Sequence, residues 1–217
     1  MNSTIRQAGT LIAAALIISI ITQIFYMVTL GGPQPSDPAV GITNADVVAY
    51  FTDRWSEVAT VWTIELAAFA VIAVAALTAL TRGAAAPVAW AALFLAATFN
   101  ILQVGIGLSM FRPAALAGEA LAPVFLTVVA GAFLFYFFAK ALIALAGIGL
   151  GIVLLSSAST AAKVAGILSI AVGLIAAALN IYAIPQGMGF VFPAGAAGTA
   201  AALTTGIAAW MATRRTE

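Results

Sequence analysis

The sequence predicts an all-α fold: a polytopic bundle of six transmembrane helices forming a single domain, 1–217. Three observations lead there. Hydrophobic residues make up 64% of the chain and charged residues only 7%, whereas a water-soluble domain needs far more charge to cover its surface. The apolar residues gather in long runs, each near or above the roughly 20 that a helix needs to cross a hydrocarbon core of about 30 Å. Most of the charged residues mark the ends of those runs.

The first run, 8–30, is longer than the apolar core of a secretory signal. Gly31-Gly32-Pro33 closes it, so it reads as a retained helix. The following loop, 31–55, is polar, carries Pro33, Pro35 and Pro38, and cannot span. Within it, 44–55 places Val47, Val48, Phe51 and Trp55 on one face, which suits an interfacial helix; an ordered loop is the alternative. The second span is 56–80, closed by Arg82-Gly83. Pro87 opens the third, 87–110, because proline at the first helical position forfeits only an N–H that has no partner there. Arg112, Pro113, Gly118 and Glu119 make the next break. The fifth span, 161–183, ends at Ile184-Pro185, and Pro193 opens the sixth, 193–212.

The fourth run, 121–155, has no turn signal and extends about 50 Å at 1.5 Å per residue. That is too long for one upright span and too short for two. Charge bias decides, because Lys and Arg concentrate on cytoplasmic ends. Six spans put Arg6, Arg82, Lys163, Arg214 and Arg215 on one side against Arg54 and Arg112 on the other. A seventh span, with a turn at Lys140, reverses the bias. The expectation is therefore six helices in the cell membrane with both termini cytoplasmic, the fourth helix being long or broken at Gly131. Trp55 and Trp62 then fall at the outer interface and Trp90 and Trp210 toward the inner one, as aromatic belts require.

Helices in lipid approach each other through small residues. Gly147 and Gly151, then Ser169, Gly173 and Ala177, then Ala194, Gly198, Ala202 and Gly206, supply such stripes. They read as contacts within one chain, with a homo-oligomer or a membrane-protein partner as the sharper alternative.

Several functions are excluded outright. The net charge of +1 leaves no electrostatic footprint for nucleic acid. With no Cys and no His, there are no disulfides, thiolate chemistry, histidine-bound metals or imidazole relays. No cofactor or metal site is implied, and Asp37, Asp46 and Asp53 lack calcium-loop spacing.

What remains is a polar constellation at membrane depth: Glu65, Lys140, Asn100, Gln103, Asn180 and Gln23. In the six-span topology all six tend toward the non-cytoplasmic half. A charge at the bilayer centre costs at least about 3 kcal/mol, so these groups should face the interior, with Glu65 and Lys140 as the natural pair. Either they brace the helices or they line an outward-facing polar cavity for a small or lipid-like ligand. No nucleophile or metal cluster accompanies Glu65, so the chain reads as non-enzymatic. An accessory subunit of a larger membrane complex is the second reading. A transporter is the third, disfavoured because the inner half offers few polar groups.

The layout also has a family likeness. A long outer loop with a short amphipathic helix precedes a helix with a buried acid. Phe99-Asn100-Ile101-Leu102-Gln103 and Phe137-Phe138-Ala139-Lys140 follow. This resembles an uncharacterised family of six-helix bacterial membrane proteins, which implies the bacterial inner membrane and carries no activity with it. The chain departs from that pattern at Asn100, where the family is expected to have a basic residue.

Overall fold

A computed structural model describes residues 3–214; Arg215, counted in the charge bias, lies outside them. No strand occurs among the described residues. Five helical stretches are long and apolar enough to cross a membrane: Ser3–Leu30, Trp55–Thr81, Pro87–Leu116, Glu119–Leu155 and Thr160–Ala212. The last is divided by the 3₁₀ turn Gly187–Phe190 into two helices that pack against each other.

The elements are α1 (Ser3–Phe25), α2 (Asn44–Asp53), α3 (Trp55–Thr81), α4 (Pro87–Ile106), α5 (Arg112–Leu116), α6 (Ala122–Leu155), α7 (Thr160–Gln186) and α8 (Val191–Ala212). Packing runs α1–α3–α4–α6–α8 and back to α1, a closed ring, with α7 set outside against α6 and α8. The start of α1 and the end of α8 share one end of the molecule, for Gly9 lies against Thr213. The short helices α2 and α5 cover the opposite end.

Local chemistry explains most of the boundaries, and three of them move from expectation. After α1 the chain adds a π-helical turn, Tyr26–Leu30, and stops at Gly31, whose φ of +65° places its N–H 2.8 Å from the Tyr26 carbonyl. A side chain there would be strained. Pro113 does not end the third run; it sits in the first turn of α5, and the break falls at Gly118, φ +93°. Pro185 lies inside α7, which continues to Gln186 before Gly187. One residue from the C-terminal end, Pro185 forgoes the single last-turn bond to the Ile181 carbonyl and leaves the rest of α7 intact. α8 begins at Val191, two residues before Pro193. α6 is unbroken over 34 residues, Gly131 included.

Close packing of α6 on α7 depends on glycine. Gly151 and Gly166 face each other, and a Cβ on either would lie 2.7 Å from the other's carbonyl oxygen. At that approach Ser169 Oγ donates to the Gly147 carbonyl at 2.9 Å. In the half near the termini a second hydroxyl joins helices in this way, Thr205 Oγ1 donating to Ile143 O at 3.1 Å, while Thr213 Oγ1 donates within its own helix to Ala209 O at 3.0 Å. The rest of that half is apolar, built on Ile12, Leu16, Phe69, Ile72, Leu93, Leu150 and Leu154.

Trp90 stands in the first turn of α4 and faces the protein. It is 1% exposed, with Nε1 donating to Ala85 O at 2.7 Å, because burial of an indole needs an acceptor. Trp62 is half-buried between Tyr26, Trp55 and Phe111, with ring centroids 5.6–6.4 Å away. Of the four tryptophans, only Trp210 is exposed.

Candidate functional site: a buried carboxylate and ammonium

One turn below Trp62, α3 presents Glu65 to the interior, 7% exposed. Two consecutive residues of α1 face different neighbours, since successive helical side chains diverge by about 100°. Thr22 Oγ1 donates to Glu65 Oε1 at 2.9 Å, while Gln23 turns to α6 and α8. There Lys140 Nζ donates to Gln23 Oε1 at 2.9 Å, and Thr199 Oγ1 approaches the same oxygen at 3.4 Å. The lysine's Nζ also lies 5.2 Å from the ring centroid of Tyr136, one turn earlier on α6. Its stem runs over Gly198, where a Cβ would sit 2.8 Å from Lys140 Cδ.

Glu65 and Lys140 are therefore both internal. They are not the ion pair that their depth led us to expect. Among the described residues the one carboxylate–cation contact within 4 Å is Arg54–Glu57, on the surface at 2.5 Å. The physical reason is positional: Thr22 and Gln23 stand between α3 and α6 and each takes one of the charges.

The other expected residues lie apart from this cluster. Asn100 on α4 is 1% exposed; Nδ2 donates to its own Ala96 carbonyl at 3.1 Å, and buried Oδ1 has no partner. Asn180 on α7 does the same to Ala176 at 2.9 Å but also donates across to Ala194 on α8 at 3.0 Å. It pins the α7–α8 hairpin. Gln103 is half-buried one turn along α4 from Asn100 and bonds to neither charge. Thr22, Tyr136 and Thr199 escaped sequence reasoning. A Thr or Tyr within an apolar run is common, and the only available signal was the i, i+4 spacing of Tyr136 and Lys140.

Above the cluster the aromatic side chains close over. Tyr50 of α2 donates its hydroxyl to that of Tyr26 at 3.1 Å, and Phe51 meets Phe111 and Phe125 edge to face. Two grooves lie elsewhere. One, of about 450 Å³, runs between α1 and α3, and one of about 300 Å³ between α1 and α8; both are apolar and toward the terminal half.

Fold and site together define an all-helical protein with several helices long and apolar enough for a membrane. No protein-family model, curated protein or solved structure matches the chain.

Proposed function

We propose that this is a six-span, non-enzymatic membrane protein that binds a small or lipid-like ligand between Glu65 and Lys140, in the half covered by α2. One observation carries the reading. Two opposite charges are buried at membrane depth, each held by a neutral side chain and neither by the other. An ammonium has three donors and a carboxylate about four acceptor sites. Here each has one strong hydrogen-bonded partner, so hydrogen-bonding capacity is left for a ligand. Intramembrane ionisable residues face functional sites by default.

Six spans follow from counting α7 and α8 separately. Arg6, Arg82, Lys163 and Arg214 at the terminal end, against Arg54 and Arg112 at the α2 end, favour termini in the cytoplasm. Transport is disfavoured because alternating access needs polar groups in both halves. Among the described residues no charged side chain is buried in the terminal half.

The test is thermal unfolding in detergent against a panel of small zwitterions, organic ions and lysolipids. It compares the wild type with Glu65→Gln and Lys140→Met. A ligand that raises the wild-type Tm and leaves both folded variants unmoved supports the site; one that stabilises all three alike binds elsewhere. If no ligand discriminates, and the two variants lose equal stability that the double variant recovers, the charges serve packing alone. Gln23, which binds side chains of both α6 and α8, would then be the centre of a polar brace.

A further inference from the structure

The apolar half carries a feature that the Glu65–Lys140 site does not use. The groove of about 300 Å³ between α1 and α8 is floored by small residues, Ala13, Ala14 and Gly206 among them. Ile17 and Leu203 line it, each about half exposed, and Trp210 lies at its terminal end. Two cations flank that end. The Arg214 guanidinium lies 4.4 Å from the Trp210 ring centroid. Arg6 sits one turn before Thr10, another lining residue, whose hydroxyl donates to the Arg6 carbonyl at 3.0 Å. Gly9 against Thr213 brings the two helix ends side by side. Both arginines are exposed, and among the described residues neither has a carboxylate within 4 Å.

We infer that this groove binds an anionic phospholipid, one acyl chain in the groove and the phosphate between Arg6 and Arg214. Guanidinium groups bind phosphate oxygens bidentately. Tryptophan favours the headgroup level, and basic residues beside it attract anionic lipid. Charge argues against a second copy of the chain as occupant. A copy inserted in the same orientation would have to bury two guanidiniums, and it offers no described acid at that level. Of the seven acids, Asp37, Asp46, Asp53, Glu57 and Glu119 belong to the α2 end, Glu65 is internal, and Glu217 lies outside the described residues. The larger groove between α1 and α3 supplies the control, with Arg82 one turn beyond its lining residue Thr78.

Native mass spectrometry of the full chain in detergent tests this, with phosphatidylglycerol and phosphatidylcholine of identical acyl chains as probes. The wild type binds phosphatidylglycerol preferentially. Arg6→Gln with Arg214→Gln weakens that binding about 30-fold, from the usual contribution of two surface-proximal basic residues, and weakens phosphatidylcholine, whose choline offsets its phosphate, by less. Ala14→Phe, from an exposed position, fills the groove and weakens phosphatidylglycerol binding with both arginines present. The inference fails if the double variant keeps its preference, or if Arg82→Gln loses as much. It fails equally if phosphatidylcholine binds as tightly, or if glycerol phosphate displaces the lipid.

Discussion

Replacing Gly198 by alanine tests the seat of Lys140 with one methyl group. The new Cβ would lie 2.8 Å from Lys140 Cδ, 2.9 Å from Cγ and 3.0 Å from Cβ, whereas carbon atoms rest at roughly 3.5 Å or more. The lysine stem must therefore move by about 0.7 Å. Because its own Cβ is among the atoms struck, a rotamer change cannot relieve the whole clash. The 2.9 Å bond to Gln23 is then stretched to the edge of hydrogen-bond range. Overpacking of this kind costs about 1–3 kcal/mol.

Gly206→Ala, two turns along the same helix, is the matched control. Its Cβ would meet nothing nearer than 3.6 Å, and both substitutions gain up to about 1 kcal/mol of helix propensity. Gly198→Ala should therefore be less stable than Gly206→Ala by about 1–3 kcal/mol, in a detergent-unfolding titration followed by circular dichroism. In a Lys140→Ala background, which removes Cγ and Cδ and keeps only the Cβ contact at 3.0 Å, that difference should shrink. Equal stabilities of the two alanine variants in the native background would refute the seating of the lysine on α8.

Asn180→Leu removes the donor that joins α7 to the Ala194 carbonyl. It should cost about 1 kcal/mol and loosen hydrogen-exchange protection around residues 187–194. Asp46 answers to pH. Hydrogen bonds from the Thr43 backbone and hydroxyl hold its carboxyl down at about 2, against an ordinary value of 3.8. Because the folded value is the lower one, this contribution is complete above about pH 4 and is lost as the pH falls through 2. Proteolysis within 36–53 by an acid-active protease should accelerate across that window in the wild type and stay flat in Asp46→Asn. Thr43→Ala, which removes the cap side chain of α2, should cost that helix about 1 kcal/mol at neutral pH.

The helices were legible because hydropathy and length dominate in lipid, and the inward turn of Glu65 and Lys140 followed from the cost of charge at that depth. Proline was the poorer guide. Pro113, Pro185 and Pro193 each lie within a turn of a helix end, where the chain tolerates them inside the helix rather than marking its limit. The direction of Trp90 was not legible, because a position in sequence says nothing of helix rotation, and rotation points it at the core. The site was half legible. Depth identified the charges, but their partners depend on which residues of α1 face α3 and α6, and α1 is too uniformly apolar to reveal its rotation. Asn100 and Asn180 share a depth pattern with the charges, yet each spends a hydrogen bond on its own helix.

The central claim is that Glu65 and Lys140 share one site. A double-mutant cycle in unfolding free energy, with Glu65→Gln, Lys140→Met and both together, measures it most directly. Each single substitution leaves one buried charge without its counterpart, so the double should be less destabilised than the sum of the singles by about 1 kcal/mol or more. Costs that add within about 0.5 kcal/mol would mean that the two charges do not sense each other, and the shared site would have to be abandoned.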